Sequence, residues 1–193
     1  MKKIELKNVN IKELAGFLRE GKVMVCPTDT VYGIICNAND KKAVDRLFKI
    51  KKRDRKKPIP IFIKDIKMAK SVAIINDQQE KYLKSIWPGR ITAILKPKIK
   101  FPSGIGKNKI EIGLRIPKYT LINNLLSLFN SPITGTSANI SGESSSTKIK
   151  EVIFQFERQK YQPDVIIDGG NLSKNKPSTI INLTIYPSKI LRK

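Results

Sequence analysis

Short apolar runs of β type alternate along this chain with segments of helical period, and this alternation limits the fold more than any other feature. Apolar residues recur at helical spacing in Asn10–Glu20 and Lys41–Lys52. Between such segments lie short apolar runs next to Pro or Gly, for example Val23–Cys26 and Ile59–Ile63, which predict buried strands. Because the connections are short, the sequence predicts a single α/β domain with a mixed sheet flanked by helices.

The remaining predicted elements continue the same alternation. Asp77–Ile86 is predicted as a helix capped by Asp77, and Lys109–Ile116 as a strand whose Ile and Leu side chains share one face. Arg115 lies on the opposite face of that strand, where an exposed charge would need no further explanation. The other predicted elements are the helices Leu121–Phe129 and Thr147–Gln159 and the strands Ile91–Leu95, Ile133–Thr136, Val165–Ile167 and Thr179–Leu183.

Composition excludes several classes of chemistry. The chain has 193 residues, 2 cysteines and no histidine, which rules out histidine-dependent catalytic triads, histidine metal sites and a disulfide framework. Nothing resembles a signal peptide, and no apolar run approaches the ~20 residues that span a bilayer. We therefore expect a soluble, cytoplasmic protein with no resident metal and no membrane partner.

The charge balance is strongly positive. Lys and Arg number 38 against 16 Asp and Glu, for a formal net charge of +22. Such a charge favours an anionic partner, for example nucleic acid, a nucleotide or an anionic lipid. Lys, Ile and Asn are over-used throughout, as coding bias would produce. The charge therefore predicts steering toward polyanions more than a dedicated nucleic-acid site.

Polar side chains directly follow the first buried strand, in the stretch Lys22–Ile34 (KVMVCPTDTVYGI). Pro27 ends the strand because it cannot donate to a β-ladder, and Thr28, Asp29 and Thr30 come next. Ligands of open α/β sheets bind outside the carboxyl ends of the strands, so these side chains lie where a substrate would bind. The alternative is a strand-to-helix turn in which Asp29 or Thr30 caps the following helix.

A basic run closes the helix that follows this stretch. Lys49–Lys57 (KIKKRDRKK) carries seven positive charges and one acid. Lys51 and Arg53 are two residues apart and can bind a carboxylate or a polyphosphate, the lysine as a point charge and the arginine through two parallel N–H donors. A run of this kind is also typical of a solvated helix end.

A second polar cluster follows a later strand, in Ser131–Ser141 (SPITGTSANIS), with Thr136, Ser137 and Asn139 as its hydrogen-bonding residues. The alternative is an N-cap or Asx turn. Ser137 is not predicted as a nucleophile, since it lies in no G-x-S-x-G elbow and the chain has no histidine. The absence of GxxxxGK[ST] and GxGxxG motifs excludes P-loop and dinucleotide-binding sites.

These motifs, taken in order, resemble those of the YrdC family over nearly the whole chain. They are PTDTVYG (Pro27–Gly33), KKRDRKKP (Lys51–Pro58), WPGRITAIL (Trp87–Leu95), GLRIP (Gly113–Pro117), TSANISG (Thr136–Gly142), DGG (Asp168–Gly170), PSTIINL (Pro177–Leu183) and ILR (Ile190–Arg192). PTDT stands where PTET is more usual, YGII replaces YGLG, and Asp54 stands where a proline commonly stiffens the loop.

The resemblance implies an L-threonylcarbamoyladenylate synthase folded as a twisted mixed sheet around a large basic cavity. Such enzymes join L-threonine, bicarbonate and ATP, with Mg²⁺ expected on the triphosphate, to give threonylcarbamoyl-AMP and pyrophosphate. The product supplies the downstream threonylcarbamoyl transferase complex that modifies tRNA, and direct contact with tRNA is a further expectation. Because the chain stops after the ILR motif, it resembles the short, single-domain branch, here residues 1–193.

The resemblance also carries over the site residues. The family's catalytic quartet falls on Lys51, Arg53, Ser137 and Asn139, whereas the related YciO-like branch departs from that quartet. The residues expected to bind threonine or ATP are Thr28, Thr30, Tyr32, Lys57, Arg115, Thr136, Ser178, Thr179 and Arg192. Asp29 is expected to cap a helix or steer a lysine, because a carboxylate is out of place against anionic substrates.

Two alternatives from other classes stay open at this point. The net charge of +22 supports a non-catalytic module that binds RNA. The YrdC-like domain of hydrogenase maturation proteins suggests carbamoyl transfer, although such domains lie within much larger chains.

Overall fold

The structure is a computed structural model that describes residues 1–107, 110–173 and 175–192. Its helices are α1 (Ile11–Arg19), α2 (Lys41–Lys51), α3 (Ile66–Val72), α4 (Asp77–Ile86), α5 (Thr120–Phe129) and α6 (Ile149–Glu157). Its strands are β1 (Lys2–Glu5), β2 (Met24–Cys26), β3 (Gly33–Ile35), β4 (Ile61–Phe62), β5 (Ala73–Ile74), β6 (Ile91–Pro97), β7 (Ile112–Arg115), β8 (Ile133–Thr134), β9 (Thr136–Ser137), β10 (Val165–Asp168), β11 (Thr179–Asn182) and β12 (Lys189–Arg192).

The strands form two mixed sheets. The five-stranded sheet has the order β1-β10-β2-β3-β9, and the seven-stranded sheet has the order β12-β11-β6-β7-β4-β8 with β5 paired to β6. In the first sheet β1, β10 and β2 run parallel, while β3 pairs antiparallel with both β2 and β9. In the second, β11 is parallel to β6 and β4 to β7. The predicted mixed α/β fold is confirmed, with its strands divided between two sheets.

The chain passes from one sheet to the other at Gly135, which lies between β8 and β9. A side chain there has no room, since a Cβ would lie 2.5 Å from the ring of Phe62. The Gly135 N–H donates to the carbonyl of Pro60 at 2.8 Å. The two sheets therefore approach each other at this point, which places β9 beside the end of β4.

Two apolar clusters hold the layers together. The first packs α1 and α5 against the five-stranded sheet and includes Leu14, Leu18 and Leu125, all fully buried. The second includes Leu47 of α2 and Leu114 of β7 and extends over both sheets. Burial of this much apolar side-chain surface is the dominant favourable contribution to folding.

Several local predictions are corrected by the structure. Asn76, not Asp77, caps α4, because its side chain accepts from the N–H of Gln79 in a reciprocal capping box. The strand predicted at Lys109–Ile116 begins only at Ile112; Ile110 is exposed, and Lys109 lies outside the described residues.

The stretch that begins at Pro27 leads into strand β3 and not into a helix. The alternative in which Asp29 or Thr30 caps a following helix is therefore wrong. Backbone pairing explains the difference, because Gly33–Ile35 pairs antiparallel with both β2 and β9. The polar residues between the two strands form the tip of this connection.

Candidate active site between the two sheets

A cavity of about 270 Å³ lies where the two sheets meet. Most of the predicted site residues converge on it. Those that line it are Thr28, Thr30, Tyr32, Arg53, Arg115, Thr136, Ser137, Asn139, Ser178 and Arg192. Lys51, Lys57 and Thr179 are not in the lining. The motifs that are distant in sequence thus form one site, and three of the predicted residues lie behind or beside it.

The loop between β2 and β3 is shaped by its own threonines. The Thr28 hydroxyl donates to the carbonyl of Val31 at 2.6 Å and accepts from the N–H of Thr30 at 3.1 Å. Both threonine side chains are buried and line the cavity. This is an ST-type turn, in which a side-chain oxygen replaces a backbone partner and fixes the tip of the connection.

Tyr32 joins this loop to the Asp168-Gly169-Gly170 turn. Its hydroxyl donates to the carbonyl of Gly170 at 2.7 Å and accepts from the N–H of Gly169 at 3.0 Å. Burial raises the pKa of Tyr32 to about 12, so the hydroxyl keeps its proton. The hydroxyl is occupied by protein partners, and Tyr32 is one of the residues that line the cavity.

Lys51 is buried behind the cavity wall, with 1 % of its surface exposed. Its ammonium group donates to the carbonyls of Ser137 and Asn139, the latter at 2.7 Å, and approaches Asn139 Oδ1 at 3.4 Å. Burial lowers its pKa to about 7, and the nearby charge of Arg53 adds to that effect. An ammonium has three N–H donors, and protein oxygens lie opposite all three.

The Ser137 and Asn139 side chains are joined to that lysine and to each other. The Ser137 hydroxyl donates to Asn139 Oδ1 at 2.6 Å, and Asn139 Nδ2 donates to the Ile140 and Glu143 carbonyls at 2.9 and 2.7 Å. Both side chains face the cavity. Three members of the predicted quartet therefore form one hydrogen-bonded network.

Arg53, the fourth member, lines the cavity. Its Nε donates to the carbonyl of Lys57 at 2.9 Å, and Nη2 donates to that of Pro58 at 3.2 Å. Partial burial lowers its pKa from the usual arginine value, although an arginine stays protonated near neutral pH. The Lys57 side chain is exposed, so the contribution of Lys57 to this site is its carbonyl group.

Arg115 is 3 % exposed, which overturns the alternative of a solvated strand residue. Its Nε donates to the carbonyl of Gly89 at 2.8 Å, and its Nη2 lies 2.6 Å from Asp29 Oδ1. Burial lowers the pKa of Arg115, while the Asp29 carboxylate opposes that shift. Asp29 was expected to cap a helix or steer a lysine side chain, and instead it pairs with an arginine.

Arg192 closes the far side of the cavity from strand β12. Its Nε and Nη2 donate to the carbonyl of Ser178 at 2.9 and 2.6 Å. The Ser178 hydroxyl lies 3.0 Å from that of Thr92, a cavity residue that sequence reasoning missed although it lies in the WPGRITAIL motif. The Thr179 N–H donates to the carbonyl of Arg90, and its side chain is outside the lining.

The cavity is basic and has few groups that could bind a metal. Arg53, Arg115 and Arg192 line it, and Glu143 is the carboxylate of the lining. Within residues 1–107, 110–173 and 175–192, no three His, Cys, Asp or Glu residues come together as a metal site would need. In the same ranges, no helix has the length and apolar character that crossing a membrane requires.

Comparisons with known proteins place this chain in a family. Residues 16–193 match the family model Sua5/YciO/YrdC, described as telomere recombination. A putative threonylcarbamoyl-AMP synthase of Methanocaldococcus jannaschii is 37 % identical over 93 % of this chain and 84 % of its own length. The threonylcarbamoyl-AMP synthase of Pyrococcus abyssi is 36 % identical over 94 % of this chain, which spans 53 % of that protein.

Solved structures agree with the sequence relatives. P. abyssi Sua5 complexed with L-threonine superposes with a TM-score of 0.89 at 34 % identity, covering 99 % of this chain and 56 % of that one. Escherichia coli YciO superposes with a TM-score of 0.85 at 26 % identity, covering 100 % of this chain and 94 % of that one. The family match, the fold and the convergence of the motifs on one cavity agree, and the chain belongs to the Sua5/YciO/YrdC family.

Proposed function

We propose that this protein is a threonylcarbamoyl-AMP synthase, a nucleotidyltransferase that joins L-threonine, bicarbonate and ATP. The observation that carries the proposal is the quartet Lys51, Arg53, Ser137 and Asn139, which is complete and meets at one wall of a basic cavity. Relatives named for this activity match over most of the chain, and the Pyrococcus relative has been solved with L-threonine.

The reaction suits a site without histidine or a nucleophilic side chain. The amino nitrogen of threonine attacks the carbon of bicarbonate, and water leaves to give a carbamate. A carbamate oxygen then attacks the α-phosphorus of ATP, and pyrophosphate leaves with the electrons of the broken P–O bond. Every reactant is an anion or carries a carboxylate, so catalysis consists mainly of positioning and neutralising negative charge.

The residues divide among these tasks by their position. Thr28, Thr30 and the Tyr32 ring shape the part of the cavity proposed for threonine. Arg115 and Arg192 bind nucleotide phosphates, together with the hydroxyl of Ser178. Residues proposed to act on the carbamate and the α-phosphate are Arg53, Thr136, Ser137 and Asn139.

Mg²⁺ is proposed to enter as part of the ATP complex. The cavity lining supplies one carboxylate, Glu143, which is too few protein ligands for a resident ion. The triphosphate oxygens and water would hold the cation. The protein's contribution is then to bind the triphosphate through its arginines.

The cellular role follows from the product. Threonylcarbamoyl-AMP is an activated acyl donor, and we propose that a cytoplasmic threonylcarbamoyl transferase complex transfers its threonylcarbamoyl group to tRNA with release of AMP. Direct contact between this protein and tRNA rests on the net charge of +22.

The test is pyrophosphate release with ATP, threonine and bicarbonate, in the absence of RNA. We expect release to require both co-substrates, and we expect Arg53→Ala or Lys51→Ala to abolish it. Lys56→Ala is the matched control in the same basic run, because its side chain is exposed and outside the lining. Activity at the wild-type level in Arg53→Ala would contradict the assigned role.

A non-catalytic RNA-binding module is the second candidate, favoured by the net charge of +22. The same assay separates the two. Turnover of ATP that needs neither threonine nor bicarbonate would overturn the synthase proposal. So would the absence of turnover in a protein that retards RNA in a gel.

A further inference from the structure

We propose that Asp29 is a positioning residue that directs the guanidinium of Arg115 into the cavity. The proposal rests on the proposed function, in which Arg115 binds the phosphates of ATP. It assigns a role to a carboxylate that lies beside the cavity lining and contacts Arg115.

The contacts of Asp29 are built to hold an arginine. Its Oδ1 lies 2.6 Å from Arg115 Nη2, and its Oδ2 accepts from the N–H of Lys118 at 3.0 Å. The two side chains are 7 % and 4 % exposed, so the pair is screened from water and its geometry is fixed. Each carboxylate oxygen has its own partner, which leaves the carboxylate one orientation.

Arg115 keeps donors free for a ligand in this arrangement. A guanidinium has five N–H groups. Within the described part of the chain, Arg115 uses two, for Gly89 and for Asp29. The remaining donors belong to a side chain that lines the cavity. Because the guanidinium is held at Nε and Nη2, the edge formed by Nη1 and the second Nη2 hydrogen has a fixed direction, as bidentate phosphate binding requires.

The pair also joins the two sheets across the cavity. Asp29 belongs to the loop between β2 and β3 of the five-stranded sheet, and Arg115 ends β7 of the seven-stranded sheet. The loop that carries Thr28 and Thr30, proposed for threonine, is thereby held in register with the arginine proposed for ATP. Asp29 thus fixes the relative position of the two substrates.

The charge of Asp29 and its positioning role predict opposite effects of neutralising it on the affinity of the cavity for anions. Arg115 lies near Arg90 and Arg192, whose charges act on it. Neutralising Asp29 would make the cavity more positive and should strengthen anion binding. If Asp29 positions Arg115, neutralising it should weaken anion binding. The sign of the change therefore distinguishes the two roles.

The experiment measures ATP binding by calorimetry for the wild type, Asp29→Asn and Asp164→Asn. Asp164 is a matched control remote from the cavity lining, because it also pairs with an arginine (Arg46) and accepts from a backbone N–H (Val23). We expect about tenfold weaker ATP binding for Asp29→Asn, because a displaced Arg115 should lose about one charge-assisted hydrogen bond to phosphate. Asp164→Asn should bind ATP as the wild type does, whatever its loss of stability.

A double-mutant cycle tests whether Asp29 acts through Arg115. In an Arg115→Met background, Asp29→Asn should have no further effect on ATP affinity. Asp29→Glu keeps the charge and should recover part of the affinity lost in Asp29→Asn; it also replaces that variant if the asparagine protein does not fold. In turnover, the KM for ATP should rise more than kcat falls.

Tighter or unchanged ATP binding in Asp29→Asn, or an equal effect with and without Arg115, would overturn the positioning role. Failure of the proposed function is a separate result. It would appear as wild-type protein that binds ATP without threonine- and bicarbonate-dependent pyrophosphate release, and the binding measurements would still report on Asp29.

Discussion

Lys51 lies buried behind the wall of the cavity and Arg115 is buried in its lining, and the two differ in what their donors contact. The Lys51 ammonium group faces oxygens of Ser137 and Asn139 with all its donors. Arg115 is held by Gly89 and Asp29 at one edge of its fork and lines the cavity with the rest. The number of donors left over, and not the charge, decides which cation can bind a ligand.

This difference suggests two roles for the basic residues of the family motifs, one structural and one in substrate binding. Lys51 holds the segment that carries Ser137 and Asn139, and we propose that its effect on the reaction is indirect. Arg115 and Arg192 line the cavity, and we propose that they bind an anion directly.

Replacing Lys51 should have the largest effect on the fold. Lys51→Met leaves the Asn139 carbonyl without a donor and the Ser137 carbonyl with only the N–H of Asn139, which should lower the free energy of unfolding by about 3 kcal/mol. Pyrophosphate release should be lost as well, because Ser137 and Asn139 are no longer held. Urea denaturation measures the first effect, with Lys56→Met as an exposed control. An unchanged unfolding midpoint in Lys51→Met would show that the buried ammonium is not structural.

Tyr32 should behave like Lys51, since its hydroxyl also has protein partners. Tyr32→Phe leaves Gly169 N–H and the Gly170 carbonyl without their partner and should cost about 2 kcal/mol of stability. The KM for threonine should change little, because the hydroxyl that is removed contacts Gly169 and Gly170 of the protein. Thermal denaturation and threonine titrations of turnover check both parts, with Tyr161→Phe as the exposed control. A large rise in KM without loss of stability would place the hydroxyl on substrate.

Arg192 should show the opposite pattern. It lies on the exposed strand β12, where water can replace its two hydrogen bonds to the Ser178 carbonyl, so Arg192→Met should lower the unfolding free energy by only about 1 kcal/mol. ATP affinity should fall about tenfold, or about 1.4 kcal/mol, because a phosphate donor is removed. Calorimetric titration with ATP measures this, and Arg158→Met removes an equal charge from the surface. An equal loss of ATP affinity in Arg192→Met and Arg158→Met would mean that ATP binding depends on net charge alone.

The smallest effect concerns pH and the buried lysine. Burial lowers the pKa of Lys51 to about 7, so above pH 7 the lysine loses its proton in the folded protein and keeps it in the unfolded chain. The free energy of unfolding of the wild type should therefore rise by about 1 kcal/mol relative to that of Lys51→Met between pH 7 and pH 8. Urea denaturation of both proteins at the two pH values gives the difference. A constant difference would show that Lys51 keeps an ordinary lysine pKa.

The sequence predicted the composition of the site better than its geometry. The motifs that resemble those of the YrdC family identified ten residues that line the cavity, and alternation along the chain placed two polar clusters at strand ends. The sequence did not predict that Lys51 is buried behind the cavity wall with its ammonium group on the Ser137 and Asn139 carbonyls, since a helix-terminal lysine can be buried or solvated and only tertiary packing decides. The pairing of Asp29 with Arg115 joins residues from two sheets, which no local pattern specifies. The division into two sheets depends on the approach at Gly135, where the requirement for a glycine comes from the Phe62 ring.

One measurement tests most directly the claim that free donors, and not buried charge, bind the substrates. It is the structure of the protein with L-threonine and a non-hydrolysable ATP analogue. We expect phosphate oxygens within hydrogen-bond distance of Arg115 and Arg192, while Lys51 keeps its contacts with the Ser137 and Asn139 carbonyls. A phosphate bound directly to Lys51, or an analogue bound outside the cavity, would contradict the account.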